Sequence, residues 1–142
     1  MTSTARPFAT LPLPAERTLL APDGSDVRVL LGLAGGGMAH FALAAGHVAR
    51  AVVHRTVEEI WFVLEGRGEM WRSQGERAEV VALVPGLCLT IPVGTRFQFR
   101  AAIDAPVSVV AITMPPWPGA DEAIEVSGPW VAARSAEAGE PR

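Results

Sequence analysis

The stretch GHVARAVVHRTVEEIWFVLEG, residues Gly46–Gly66, and the stretch GLCLTIPVGTRF, residues Gly86–Phe97, decide the expected fold of this chain. In both, short runs of Val, Ile, Phe and Trp are separated by turns marked by Gly or Pro. Such runs are typical of β-strands, because branched and aromatic side chains pack well on a pleated surface. The two stretches therefore predict strands joined by turns.

The same pattern continues on both sides of these stretches. Two β-like runs lie between Leu19 and Leu33, with Pro22-Asp23-Gly24 as a turn between them. The further runs are Met38–Leu43, Ala49–His54, Glu59–Leu64, Gly68–Ser73, Ala78–Leu83, Cys88–Ile91, Arg96–Arg100 and Val107–Met114. Regular spacing of this kind favours a β-barrel or sandwich. Helical periodicity is weak, and the nearest candidate is the short patch 121–124.

Length and composition predict one domain that binds a small molecule. The 142 residues are 49% hydrophobic, which is enough for one buried core. We expect an N-terminal arm at 1–18, a barrel with a Pro/Trp-rich C-terminal cover at 19–132, and a disordered tail at 133–142. The net charge is -3 and the sequence contains no basic cluster. Both features argue against nucleic acid or an anionic membrane as the partner.

Missing residue types exclude several chemistries. The chain has no lysine for a Schiff base and no tyrosine to act as an acid or base. Cys88 is the single cysteine, so neither an intrachain disulfide nor a cysteine-held metal cluster can form. Its neighbours Leu87, Leu89 and Ile91 predict a buried thiol. The first residues do not resemble a secretory signal, so we expect a cytoplasmic protein.

The first stretch resembles the first signature of the cupin superfamily, which reads Gly, five residues, His-x-His, three or four residues, Glu, six residues, Gly. In this chain Gly46, Val52, His54, Glu59 and Gly66 occupy those positions without any gap. The resemblance implies an all-β fold, a double-stranded β-helix or jelly-roll-like cupin barrel of two antiparallel sheets. It also implies a homodimer.

The second stretch resembles the second cupin signature, which reads Gly, five residues, Pro-x-Gly, two residues, His, three residues, Asn. Gly86, Pro92 and Gly94 match it, whereas Phe97 and Ala101 replace the His and the Asn. The phrases HRTVEEIWFVLEGRGEMWR and MPPWPGADEA also resemble those of small single-domain bacterial cupins.

In metal-binding cupins four side chains of the two signatures hold one divalent ion. The resemblance places these ligands at Val52, His54, Glu59 and Phe97, so two of the four are missing and the metal site is degenerate. His40 could complete a trio with His54 and Glu59 for Mn, Fe, Ni or Zn, if it faces the lumen. Gln98 is a weaker candidate, because strand alternation turns it away from the face of its two Phe neighbours.

His54 and Glu59 are also candidates for metal-free chemistry. A carboxyl group beside Trp61 is expected to be desolvated, which raises its pKa into the range useful for proton transfer. The pair could then act as a general acid and base. The alternative is a structural pair in which Glu59 only satisfies the histidine.

Alternation predicts an apolar lumen. We expect a binding surface made of Val52, Trp61, Val63, Phe97 and Phe99, suited to an aromatic or lipophilic ligand. Plain core packing is the alternative, because small barrels are often filled by side chains. Arg96 could bind a substrate carboxylate at the barrel mouth or remain solvated. Trp117, between prolines, is expected to cover the barrel end or a subunit seam.

Three functions are compatible with these residues. The first is a small-molecule-binding cupin that acts without metal as an isomerase, cyclase or lyase through His54 and Glu59. The second is a metal-dependent dioxygenase or isomerase with His40, His54 and Glu59 as ligands. The third is a ligand-sensing module without turnover. Val52 and Phe97 favour the first and third over the second.

Overall fold

Eleven β-strands and no helix form the part of the chain that the computed structural model describes, residues 6–133. The strands are β1 Leu19–Leu20, β2 Asp26–Leu33, β3 Gly36–Leu43, β4 Val52–His54, β5 Glu58–Gly66, β6 Gly68–Gln74, β7 Arg77–Leu83, β8 Cys88–Ile91, β9 Arg96–Ala101, β10 Val107–Met114 and β11 Ala123–Glu125. Within those residues there is accordingly no helix that could cross a membrane.

The strands form two antiparallel sheets. One has six strands in the order β1-β2-β3-β10-β5-β8, and the other has five in the order β11-β4-β9-β6-β7. Neighbours such as β10 and β5 are distant in sequence, so the chain crosses repeatedly between sheets. The predicted fold, an all-β double-stranded β-helix barrel of two antiparallel sheets, is confirmed.

Strand β5 shows how the sequence selects its inner face. It lies between β10 and β8, and buried and exposed residues alternate along it from Glu58 to Leu64. Because alternate side chains of a strand point to opposite faces, Glu59, Trp61 and Val63 all face the interior. The buried core between the sheets also contains Leu43, Met70, Leu83, Leu89, Ile91, Phe97, Phe99, Val107, Val109 and Ala111.

One local prediction is wrong. Cys88 is exposed rather than buried, because in β8 Leu89 and Ile91 take the inward positions and the thiol lies on the opposite face. The patch 121–124 is not helical. Ala123 begins β11, which pairs with β4.

The structure describes part of each predicted terminal region. Residues 6–18 run beside β2, where the Arg28 guanidinium donates hydrogen bonds to the carbonyl oxygens of Pro14 (2.7 Å) and Ala15 (3.1 Å). Ala133 exchanges backbone hydrogen bonds with Val48. The rest of the predicted tail lies outside the described residues.

Gly66 allows the close approach of two backbone segments. Its φ is +86°, and a Cβ atom there would overlap the carbonyl oxygen of Pro106 in the turn before β10. Gly94 has a similar φ of +83°, but open space surrounds the position of its missing Cβ. Of these two glycines, Gly66 alone combines a left-handed backbone with a steric requirement.

We predict that Gly66→Ala destabilises the protein much more than Gly94→Ala. Both variants force alanine into a left-handed conformation, at a cost of about 1–2 kcal/mol. Gly66→Ala must also displace backbone, which we expect to bring its total loss to at least roughly 3 kcal/mol. Urea unfolding of both variants measures the difference. Equal losses would show that the contact with Pro106 imposes no constraint.

Candidate functional site

A cavity of about 700 Å³ opens between the inner face of the six-stranded sheet and the segment that follows β10. Most of its wall is apolar, and three ionisable side chains, Asp23, His54 and Glu59, line it. The apolar wall includes Leu19, Leu20, Val27, Leu31, Ala39, Phe41, Val52, Trp61, Phe97, Pro116 and Trp117. The cavity thus offers a small molecule a largely hydrophobic surface with a few polar atoms.

Strand geometry brings the two predicted functional residues together. Glu59 and Trp61 are two positions apart on the inner face of β5, and Val52 and His54 stand in the same relation on β4. Phe97 of β9 is directly opposite Val52 in the sheet register. The two cupin-like stretches therefore meet at one place inside the barrel.

The carboxyl group of Glu59 is oriented from one side only. Its Oε1 accepts a hydrogen bond of 2.6 Å from Trp61 Nε1. Its Oε2 lies 3.8 Å from Nδ1 of His54, which is longer than a hydrogen bond. His54 Nδ1 is buried, and no described residue forms a hydrogen bond with it. The contact between the two side chains is therefore not a hydrogen bond, and Nδ1 is left unsatisfied among the described residues.

Aromatic rings fix the position of the His54 imidazole. The rings of Phe97 and Trp117 meet it edge to face, with centroid distances of 5.1 Å and 5.0 Å. The ring of Trp61 packs in turn against Phe97 at 6.2 Å. The imidazole is thus held by packing rather than by hydrogen bonds through Nδ1.

Burial shifts the two pKa values in opposite directions. It raises the pKa of Glu59 to about 7, partly offset by the hydrogen bond from Trp61 and reinforced by the negative charge of Asp23. It lowers the pKa of His54 to about 4, against a small opposing effect of Glu122. Between about pH 4 and pH 7 the carboxyl group of Glu59 is protonated and the imidazole of His54 is neutral, so both side chains are uncharged. Near neutral pH the carboxyl group can give or take a proton readily.

Glu122 holds the turn between β4 and β5 close to this pair. Its carboxylate accepts hydrogen bonds from Thr56 N (2.6 Å), Thr56 Oγ1 (2.8 Å) and Val57 N (2.7 Å). Burial opposes its ionisation, but these hydrogen bonds outweigh burial and lower the pKa of Glu122. The hydrogen bonds of Glu122 hold this turn in place, so its role is structural. Glu59 is the remaining glutamate of the site that can exchange a proton with a ligand.

The structure brings only part of the predicted binding surface to the cavity. Val52, Trp61 and Phe97 line it. Val63 and Phe99 face the interior but lie in the packed core, away from the cavity wall. Arg96 is exposed at the start of β9, on the face opposite Phe97, and is not among the residues that line the cavity, which agrees with the solvated alternative.

The predicted metal trio does not assemble, because His40 faces away from the lumen. Phe41 lines the cavity and contacts Trp61, so alternation turns the neighbouring His40 to the outer face of β3. There His40 is near Arg28 and Glu65. Gln98 also faces away, as alternation predicts; its Nε2 donates to the carbonyl oxygens of Ala49 and Trp130, both at 2.8 Å.

The remaining side chains do not fit a divalent metal ion. No cluster of three or more His, Cys, Asp or Glu suited to a metal occurs in the described part of the chain. Val52 and Phe97 offer only carbon atoms where the cupin resemblance implies imidazoles. One Glu59 oxygen already accepts the Trp61 hydrogen bond. A single His and a single carboxylate fall short of the three protein ligands that such sites generally use.

Asp23 and Trp117 are among the cavity-wall residues that were not predicted as site residues. Asp23 belongs to the turn between β1 and β2, where its Oδ1 accepts hydrogen bonds from Ser25 N (3.0 Å) and Ser25 Oγ (2.7 Å). Its position in Pro22-Asp23-Gly24 indicated a turn and nothing about the cavity. Trp117 was expected to cover the barrel end, and it both lines the cavity and contacts His54.

Comparison with known proteins gives a consistent picture of the fold. The family model described as "Cupin domain" matches residues 39–113. No curated protein matches the sequence.

Solved structures with similar folds share little sequence with this chain. BH2720 from Bacillus halodurans is 20% identical, with a TM-score of 0.57 over 76% of this chain and 80% of that one. KdgF from Halomonas sp. is 18% identical, with a TM-score of 0.59 over 70% and 87%. A mutant of the oxalate decarboxylase OxdC from Bacillus subtilis is 11% identical, with a TM-score of 0.67 over 78% and only 30%. At such identities the likeness shows the fold alone.

We predict that the two pKa shifts have opposite effects on the free energy of unfolding. These effects cancel in the wild type and become measurable when one of the two residues is replaced. Between pH 4.5 and 7 the native state retains a proton on Glu59 that the unfolded chain has lost, so this group makes stability fall as pH rises. Between pH 4 and 6.5 the unfolded chain protonates His54 and the native state does not, so this group makes stability rise with pH.

Relative to wild type, Glu59→Gln should therefore gain stability as pH rises through the first window, and His54→Gln should lose it through the second. Each slope is at most about 1.4 kcal/mol per pH unit. The double variant should run parallel to wild type between pH 4.5 and 6.5, where the windows overlap. Urea unfolding at a series of pH values gives these differences. Parallel curves for both single variants would show that neither pKa is shifted.

We also predict that restoring two imidazoles creates a metal site. In Val52→His combined with Phe97→His, the new side chains stand opposite each other in register and beside His54 and Glu59. Zn(II) or Ni(II) should raise the melting temperature of the double variant and have a much smaller effect on the wild type. Adding His54→Ala should abolish the gain. An equal rise in the wild type, dependent on His54, would show that this chain already holds a metal.

Proposed function

This chain belongs to the cupin family, and we propose that it binds a small, largely apolar molecule in the cavity and transfers a proton to or from it through Glu59 and His54. Isomerisation, cyclisation and elimination all include such a step. The observation that carries the proposal is the state of Glu59, a buried carboxyl group with a pKa of about 7 on the wall of a hydrophobic cavity.

The cavity wall supports binding of an aromatic or lipophilic ligand. Its volume of about 700 Å³ lies within the range of small-molecule sites, about 300–1,000 Å³. Trp61, Phe97 and Trp117 supply flat aromatic surface, and few polar atoms interrupt it. Such a ligand would gain stability mainly from the burial of apolar area.

The arrangement of the pair supports proton transfer. In its ionised form Glu59 can take a proton from a carbon atom next to a carbonyl group; the electron pair of that C–H bond then moves into an enolate. The resulting carboxylic acid can return the proton to a different atom of the same molecule, which completes an isomerisation without any oxidant. Neutral His54, whose Nδ1 lies 3.8 Å from Glu59 Oε2, can donate a hydrogen bond to the developing oxyanion through the ring nitrogen that carries its proton.

We further propose that the protein acts as a cytoplasmic homodimer. The outer face of β5 supports this proposal, because Ile60, Phe62 and Leu64 are each 40–44% exposed there. A row of exposed large apolar side chains on a central strand is typical of a surface covered by another subunit.

We predict that the protein accelerates hydrogen exchange in an apolar ketone and that Glu59→Gln abolishes this effect. The probe is 2-tetralone in D₂O, whose loss of α-proton signal is followed by NMR. Gln retains an oxygen that can accept the Trp61 hydrogen bond but cannot take a proton. The exchange rate should therefore fall at least about 100-fold, toward the uncatalysed rate, which is the usual contribution of a general base.

Glu58→Gln is the matched control, because Glu58 precedes Glu59 on the same strand and is exposed on the outer face. It should exchange as the wild type does. Calorimetric binding of 2-tetralone distinguishes the remaining outcomes. If wild type and Glu59→Gln bind the ketone equally and neither accelerates exchange, the protein is a non-catalytic binding module for this ligand class.

A further inference from the structure

Two carboxyl groups, and one imidazole nitrogen without a hydrogen-bond partner among the described residues, belong to side chains that line the cavity. Asp23 and Glu59 both line it, and the negative charge of Asp23 is close enough to affect the ionisation of Glu59. His54, with a side chain only 6% exposed, contributes Nδ1, which no described residue satisfies. Near neutral pH the imidazole is uncharged, so this nitrogen can accept a hydrogen bond when the proton is on Nε2.

No positively charged side chain balances these acceptors inside the cavity. The chain has no lysine, and among the described residues that line the cavity none is arginine. Arg50 acts on Asp23 from outside: its side chain is exposed and donates to the carbonyl oxygen of Pro22 at 3.1 Å. A ligand carboxylate would therefore meet two acidic groups and no cation.

The wall around these acceptors is suited to a cation. Aromatic rings carry partial negative charge on their faces and attract ammonium groups placed over them. Phe41, Trp61, Phe97 and Trp117 line the cavity that Glu59 and Asp23 share. Such rings also bind an apolar ligand body, so one surface can serve both parts of an amphipathic cation.

We propose that the ligand of this cavity is a protonated amine carried on an aromatic or lipophilic body, with its ammonium group bound by the carboxylate of Glu59 and attracted by the negative charge of Asp23. This inference rests on the proposed function, since it names the ligand class of the same site.

The charge state of the two carboxyl groups agrees with this proposal. Burial raises the pKa of Asp23, where Arg50 offsets only part of the rise, and of Glu59, so both charged forms would be stabilised by a positive charge inside the cavity. A bound ammonium group supplies that charge. It would also keep Glu59 ionised, which is the form needed to accept a proton from carbon.

The test uses three ligands that share one body and differ in one terminal group: 2-(1-naphthyl)ethylamine, 2-(1-naphthyl)ethanol and 3-(1-naphthyl)propanoate. Binding to the full-length protein is measured by calorimetry at pH 7.5. We expect the amine to bind at least about tenfold more tightly than the alcohol, and the acid more weakly than both.

Variants identify the groups responsible. Asp23→Asn can still accept hydrogen bonds from Ser25, and Glu59→Gln can still accept one from Trp61, so both should retain the fold. Each should reduce the preference for amine over alcohol at least about fivefold and leave the affinity for the alcohol nearly unchanged. Asp26→Asn is the matched control, because it removes the same charge three residues away, where Asp26 pairs with Arg17 at the surface.

The outcomes separate this inference from the proposed function. If the alcohol binds and the amine binds no better, or if Asp23→Asn leaves the amine preference intact, the amine inference is overturned while the apolar cavity stands. If none of the three ligands binds, both this inference and the proposed binding function fail. A preference for the acid would overturn the inference directly.

Discussion

The alternation of side chains along β5 is the constraint on which the interior of this barrel depends. β5 pairs with β10 on one side and β8 on the other, so its register is fixed by hydrogen bonds along both edges. Its inner face must then contain Glu59, Trp61 and Val63 together, since a shift of one residue would expose all three. A carboxyl group is thereby forced into the core, and the indole beside it supplies the hydrogen bond that makes this burial tolerable.

Burial shifts the pKa values of the neighbouring acid and base in opposite directions, and the resulting effects on stability compensate each other. Glu59 becomes harder to ionise and His54 harder to protonate, so the folded protein keeps both uncharged over a wide pH range. An ion pair would need polar surroundings or additional hydrogen bonds to offset desolvation. Here Phe97 and Trp117 surround the imidazole instead. The pair is therefore better suited to exchanging a proton with a ligand than to stabilising the fold by charge.

The replacement of two ligand positions changes what the cupin framework can do. Val52 and Phe97 are partners on the adjacent strands β4 and β9, at two positions where the family resemblance implies imidazoles. Both extend the hydrophobic wall of the cavity. The same backbone positions thus contribute apolar area instead of metal coordination. Asp23 and Trp117 come from segments outside the two signatures and complete the wall, so the character of the cavity depends on parts of the chain that the signatures do not describe.

The sequence by itself determined the strands, the two turns of the cupin signatures and the inward positions of Glu59, Trp61 and Phe97. These follow from local composition, glycine placement and period-two alternation, which are properties of neighbouring residues. It could not determine that His40 faces outward or that Asp23 lines the same cavity as Glu59 and His54. Those facts depend on how β3 pairs with β10 and how the β1–β2 turn meets the opposite sheet. Only the tertiary structure decides them, because each contact joins segments far apart in the chain.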